Sequence, residues 1–401
     1  MKISCAKTAR QAIHDWDTLG AAINVKSNVM AYVLHQRDSM QHRIRLGKRT
    51  VYKSDDFNTV LEQENGEERP QRRRMGLHTI QERIGLLVEP LLDELPGNEA
   101  VYSYRRGTSP VAAIKSLAGA KVLIATDVKG FYDHIFIRHI EGALVDCGFS
   151  HLGGRLIARY CVVRRGNMQT LQQGCPASPA LSNLVGYKYI DVPVQAWLKE
   201  NLKGVEHKYV RYCDNVELFI YGDMPEGFAQ KYKEAVKGIM RNAGFRTHDW
   251  ATVSDSHPKK NQRFLGVVLN HRARVEKGMI DSLRATLFNL CLSGLSREQV
   301  VRFLQSVEKM PVYDSYDEAV LLDRLMHILG GKVAYVSSVN DRHGRWLKKL
   351  MSLARLLSKM PAEREKLASA YSPAWKEALL RYKDDTQDIV GFISGAVAGL
   401  M

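Results

Sequence analysis

The stretch VEHKYVRYCDNVELFIYG, residues 205–222, sets the fold class. Two runs rich in β-branched and aromatic residues, HKYVRY and VELFIYG, are separated only by Cys213, Asp214 and Asn215. Such runs, split by so few polar residues, form a β-hairpin with the polar residues at its tip. Upstream, KVLIATDVKGFYDHI (Lys121–Ile135) opens on a short apolar run of the buried-strand type that ends at Asp127. An aromatic pair, Phe131 and Tyr132, then leads toward a helix. If the two strands neighbour one another in a sheet, Asp127 and Asp214 converge at its edge.

Carboxylate and carbonyl oxygens suit hard cations, and Mg²⁺ takes one or two carboxylates with waters and substrate phosphates. Two such ions about 3.5–4 Å apart form the clamp used for in-line phosphoryl transfer. Taken singly, an Asp at a strand end or turn is a common cap or turn residue; the words around these two carry the specificity.

Outward from this centre, NQRFLGVVLNHRARVEKG (Asn261–Gly278) reads as another hairpin. Met1 to about Thr50 shows apolar residues at helical spacing with basic residues between them, as in QHRIRLGKR. The charge-dense LEQENGEERPQRRR (Leu61–Arg74) reads as a solvated loop, and Met75–Leu95 as a helix closed by a Pro-Gly turn. Beyond Met279 the pattern is helical nearly to the end. Strands sit in the middle, with helices before and after.

TDVKGFYDHI, QGCPASPALSNL and YVRYCDN, in this order and spacing, resemble the palm motifs of reverse transcriptases, especially the bacterial branch with group II intron and retron enzymes. RRMGLHTIQER (Arg73–Arg83) and VYSYRRGTSPVAAI (Val101–Ile114) resemble two fingers motifs of that family. FLGVVLN (Phe264–Asn270) resembles its primer-grip hairpin, with Phe264, Leu265 and Gly266 as the grip, and GKVAYVSSVN (Gly331–Asn340) a thumb motif. The resemblance implies an α+β right-hand polymerase fold with helical fingers, a split βαβ palm and a helical thumb. The expected divisions are 1–115 for the N-terminal extension and fingers, 116–260 for the palm, 261–278 for the primer-grip hairpin and 279–401 for the thumb.

The resemblance also assigns roles. Asp127, Asp214 and Asn215 are the catalytic positions; Asp127, Asp214 and the backbone carbonyl of Val128 hold two Mg²⁺, with Mn²⁺ as the alternative ion. Tyr132 matches the aromatic gate that selects dNTPs over NTPs, and Gln173 and Gly174 lie against the templating base and incoming nucleotide. Arg73 matches the fingers arginine that grips the triphosphate, a task suited to a guanidinium fork. The implied reaction is RNA-directed addition of dNTPs to a 3′-hydroxyl. The compact chain looks like the defence-associated, abortive-infection-type reverse transcriptases, which act against phage with a noncoding RNA or a second protein subunit.

Three positions depart from the family pattern. The tip is Tyr212-Cys213-Asp214-Asn215 where Tyr-x-Asp-Asp is usual, so one carboxylate is lost. Ala251 stands where a lysine is usual, with Lys259 or Lys260 as substitutes. The hairpin before Arg73 is acidic where a lysine is usual, leaving Lys53 as the alternative. Two further readings therefore stay open: template-independent or protein-primed synthesis of homopolymer or repeat DNA, and a catalytically silent RNA-binding scaffold.

Composition agrees with a nucleic-acid partner. Of 401 residues, 58 are Lys or Arg against 43 Asp or Glu, a net charge of +15 that favours polyanions. Six scattered cysteines without a CxxC pair argue against a disulfide scaffold or structural zinc and for a reducing, cytoplasmic setting. No membrane partner is expected, since the longest uncharged apolar stretch, IVGFISGAVAGLM from Ile389, is too short to span a bilayer. That stretch reads as a docked helix or a partner contact; self-association is a further expectation.

Overall fold

The structure, a computed structural model, describes residues 7–46, 49–55, 57–64, 67–106, 110–257, 260–292, 297–308, 316–340 and parts of 344–354. Three short helices open the chain: α1 (Lys7–Gln11), α2 (Trp16–Ile23) and α3 (Ser27–His35). Asp15 caps α2, accepting the Thr18 N–H while the Thr18 hydroxyl oxygen accepts the Asp15 N–H. Then come two antiparallel hairpins, β1 (Gln41–Leu46) with β2 (Arg49–Ser54), and β3 (Phe57–Glu64) with β4 (Glu67–Met75).

Both hairpins correct the sequence reading. QHRIRL follows the two-residue period of a strand, Ile44 and Leu46 alternating with Arg43 and Arg45, and its arginines mimic the polar gaps of a helix. The charge-dense segment is a strand pair, not a loop. Its register sets Glu62 opposite Arg69, and Pro70 opposite Leu61 in a two-stranded ladder where a missing N–H is tolerated.

Next are α4 (Leu77–Val88), α5 (Pro110–Lys115), β5 (Val122–Asp127), α6 (Ile137–Asp146) and α7 (His151–Cys161). A small hairpin, β6 (Val162–Arg165) and β7 (Met168–Leu171), precedes α8 (Ser178–Gly186) and α9 (Val192–Asn201). A π-helical turn, Tyr187–Asp191, joins those two helices. The chain then forms β8 (His207–Tyr212), β9 (Asn215–Ile220), α10 (Phe228–Asn242) and β10 (Ala251–Ser254). The central antiparallel sheet has the order β10-β5-β9-β8. Its two middle strands come from distant parts of the chain, with helices between them, as a split βαβ palm requires.

The two faces of the sheet carry different residues. Ile124 on β5 and Val216, Leu218 and Ile220 on β9 enter the main hydrophobic core, together with residues of α4 and α6 to α10. Side chains alternate along a strand, so Asp127, Asn215 and Glu217 belong to the other face.

The chain divides into two compact units, one of residues 1–113 and 120–260, the other of residues 114–119 and 261–401. The second holds a three-stranded antiparallel meander, β11 (Arg263–Phe264), β12 (Val267–Val268) and β13 (Arg274–Val275), where a single hairpin is expected. The extra strand lies beyond Leu269, whose N–H donates to the Gln262 carbonyl. Helices α11 (Lys277–Leu292), α12 (Arg297–Glu308) and α13 (Glu318–Val339) follow. The apolar segment from Ile389 lies outside the described residues. Among the described residues no helix is long and apolar enough to cross a membrane.

His139 on α6 is buried among the rings of Phe136, Tyr189 and Phe245, with centroids 5.3–5.6 Å away. Its Nδ1 accepts the Phe136 N–H. Burial, with Arg138 adding to it, lowers its pKa from 6.5 to about 4. Between those values the unfolded chain binds the extra proton, so stability is full above pH 6.5 and falls as pH drops toward 4. Urea unfolding at pH 7 and pH 4.5 is expected to differ by about 2 kcal/mol more in wild type than in His139→Phe.

Candidate active site

β5 ends at Asp127 and β9 begins at Asn215, and the register pairs these two residues directly. Asn215 also pairs with Tyr212, so the hairpin loop is the two residues Cys213 and Asp214, one shorter than the sequence suggests. Across the tip, the Val128 N–H donates to the Asp214 carbonyl at 2.8 Å. The backbone thus brings Asp127, Val128 and Asp214 to one end of one sheet. The Asp127 carboxylate joins no hydrogen bond or ion pair among the described residues. Asn215 Nδ2 donates to Asp214 Oδ1 at 3.2 Å and to the Tyr212 carbonyl at 3.4 Å. An aspartate there would face Asp214 as a like charge, whereas the amide holds it.

The tip is strained. Cys213 has φ +57, a left-handed conformation that costs a residue with a Cβ about 1–3 kcal/mol. Two contacts hold it: Ser103 Oγ accepts the Cys213 N–H at 2.9 Å, and Arg211 Nη1 donates to the Cys213 carbonyl at 2.9 Å. Ser103 is fixed in turn by Asn183 of α8, through its hydroxyl at 2.8 Å and its carbonyl at 2.7 Å.

Arg211 has no solvent exposure, and neither has Asp191, whose carboxylate accepts two bonds from Arg211 Nε at 2.9 Å. The Tyr209 hydroxyl donates to the same carboxylate at 2.8 Å, and Arg211 Nη2 to the Asn183 carbonyl at 3.1 Å. Burial pushes the Asp191 carboxyl up, opposed by the Arg211 charge and the hydroxyl. Room for the guanidinium comes from Gly186, where any Cβ would collide with it.

Tyr132 packs edge-on against the buried Phe131, and its hydroxyl lies 3.3 Å from Ser182 Oγ on α8. Burial pushes its phenol well up, and that of Tyr104 to about 12. Tyr104 stands 6.2 Å from Tyr212, ring to ring, so three tyrosines frame the tip. Gln173 gives its carbonyl to the Tyr52 N–H at 2.8 Å. Gly174 has φ +103, and a Cβ there would collide with the Tyr52 carbonyl. The close approach that this glycine permits is therefore the chain's own β2.

Arg73 lies on β4, with its side chain outside the described residues. Lys259 also lies outside the described residues, while Lys260 and Lys53 are both exposed. Ala251 is exposed and pairs with Ala125 from the edge strand of the sheet. The expected grip residues belong to the second unit. Phe264 is buried there, while Leu265 (φ +48) and Gly266 (φ +80) form the turn between β11 and β12. Among the described residues no three His, Cys, Asp or Glu side chains converge as a ready metal cage. Two carboxylates, an amide and a backbone carbonyl nevertheless fit an ion that brings waters and phosphates of its own.

The chain is 24% identical over 227 residues to the retron Mx162 reverse transcriptase of Myxococcus xanthus, covering 50% of this chain and 45% of that protein. It is 22% identical over 235 residues to the retron Ec86 reverse transcriptase of Escherichia coli, covering 56% of this chain and 68% of that one. The chain resembles retron reverse transcriptases. No family model matches it. Among solved structures, a telomerase from Candida albicans in complex with a fragment of telomeric RNA aligns with a TM-score of 0.39 at 12% identity, over 72% of this chain and 57% of that one.

Sequence reasoning missed Arg211, Asp191, Asn183 and Ser103, which support the tip without lying on it. One signal was available: an arginine inside the strand HKYVRY, one residue before the tip begins at Tyr212. Asp191→Ala is expected to leave Arg211 buried and unpaired, lowering unfolding stability by about 3–5 kcal/mol in a urea titration.

Proposed function

We propose that the chain is a reverse transcriptase that adds dNTPs to a 3′-hydroxyl, with Asp127 and Asp214 as its metal-binding carboxylates. The observation that carries this reading is the pairing of Asp127 with Asn215, which sets both carboxylates at one end of the central sheet. The chain spans less than half the length of the first retron relative, so the activity is inferred from this site and from the family resemblance together.

In this reading the bound Mg²⁺ ions supply charge stabilisation for phosphoryl transfer. Asp127, Asp214 and the Val128 carbonyl hold them, and the Asn215 amide orients Asp214. Tyr132, braced by Ser182, limits the room beside the sugar and favours dNTPs. Gln173 and Gly174 line the nucleotide and templating base, Arg73 grips the triphosphate, and Phe264, Leu265 and Gly266 support the primer end. An RNA template, a noncoding RNA or second protein subunit, a cytoplasmic setting and a role in antiviral defence extend the reading on the family resemblance alone.

Primer extension with labelled dNTPs, with and without an RNA template, tests the proposal. Template-complementary product is expected from wild type and is expected to fall by at least about 10³-fold in Asp127→Ala, the scale of a lost electrostatic group. Tyr132→Ala is expected to raise ribonucleotide incorporation relative to dNTP. Product of fixed sequence made without template would replace templated copying with template-independent synthesis. Absence of any Asp127-dependent product would sink the catalytic reading.

A further inference from the structure

The family pattern places three carboxylates around the tip, and the sequence here keeps two of them. A third lies two residues further along β9. Glu217 pairs with Ala125, two registers below the pair that Asn215 makes with Asp127, so Glu217, Asn215 and Asp127 share one face of the sheet. Two residues along a strand are about 6.6 Å, and a glutamate carries one more methylene than an aspartate with which to lean along it.

Glu217 is 5% exposed, and its Oε2 has no hydrogen-bond partner. Among the described residues it forms no ion pair, and burial first, with the Asp127 carboxylate second, pushes its carboxyl well up. A carboxylate buried beside a second one, with an oxygen unpartnered, takes up a proton unless a cation reaches it. The contrast with Asp191 is direct: that buried carboxylate, on the core face, has Arg211 and Tyr209 on its oxygens.

We infer that Glu217 replaces the carboxylate missing at Asn215, supplying from below the tip the negative charge that divalent ions require there. The inference rests on the polymerase reading of Asp127 and Asp214 and adds a residue to it. It assigns the departure at Asn215 a compensation within the same strand and face, and it makes positions 215 and 217 interchangeable carriers of one charge.

Direct Mn²⁺ binding, followed by the electron paramagnetic resonance signal of free Mn²⁺, tests this on the full chain without turnover. Wild type, Glu217→Gln, Asn215→Asp, the double variant and Asp127→Asn are compared, with far-UV circular dichroism confirming that each is folded. Glu217→Gln is expected to weaken Mn²⁺ binding at least tenfold. Adding Asn215→Asp to it is expected to restore binding to within about threefold of wild type, the coupling that neighbouring positions sharing one role show. Wild-type affinity in Glu217→Gln, or no restoration in the double variant, overturns the inference and leaves the polymerase reading standing. Failure of Asp127→Asn to reduce Mn²⁺ binding overturns the polymerase reading itself. Because the glutamine is isosteric, loss of packing would not follow this pattern of rescue by a charge two residues away.

Discussion

The buried pair of Arg211 and Asp191 is the constraint on which the tip geometry depends. Neither side chain touches solvent. Taking both charges out of water is expensive, and the cost is recovered only where good geometry and further hydrogen bonds satisfy the remaining donors. Here the guanidinium reaches Asp191, the Asn183 carbonyl and the Cys213 carbonyl. One side chain therefore ties β8 to the π-helical turn, to α8 and to the hairpin loop. The left-handed Cys213 persists because its N–H and its carbonyl are both engaged.

Alternation along the strands keeps this supporting charge apart from the carboxylates of the other face. On β8, Tyr209 and Arg211 face the helices; on β9, Val216, Leu218 and Ile220 do the same. The intervening positions carry Asn215 and Glu217, and Asp127 joins them from β5. The core face is electrically closed, with a carboxylate for its guanidinium. Among the described residues the other face holds acid without matching base, in a chain whose net charge is +15. Basic residues are abundant in the composition, yet among the described residues none pairs with Asp127 or Glu217.

How much of this was legible in the sequence depended on side-chain period. The strand ending at Asp127 and the hairpin around Asp214 were readable because apolar and aromatic runs stop abruptly at polar residues. The α+β right-hand fold with its split palm came from the family resemblance of the words around them, not from the strand pattern. β1 was not readable as a strand because its alternating arginines fill the gaps a helical reading leaves polar, and β3 and β4 were not because glutamate and arginine crowd them and leave no apolar stripe to count. The Gln173–Gly174 motif was legible as a place of close approach, but the approaching group, the Tyr52 carbonyl, comes from a hairpin the sequence pattern hid. Arg211 was not singled out, because nothing in the residues around it shows that the sheet encloses it.

That hidden hairpin has a mechanical consequence. Gln172, fully buried beside the motif, donates to the Tyr52 carbonyl and Ser54 Oγ of β2, and its Oε1 accepts from Gln41 and from Gln81 of α4. The Tyr52 N–H closes the circuit on the Gln173 carbonyl. On the other side Arg165 lies over the Tyr52 ring at 5.5 Å and pairs with Asp133, the neighbour of Tyr132, at 2.6 Å. The β1–β2 hairpin, the Gln173–Gly174 loop and the turn carrying Tyr132 are thus joined by hydrogen bonds and one ion pair rather than by apolar packing alone. Hydrogen bonds fix direction where apolar contacts fix only proximity. A displacement of β2 must therefore carry the loop with it, and the position of the Gln173–Gly174 loop is set by a hairpin that contributes no residue to the carboxylate pair.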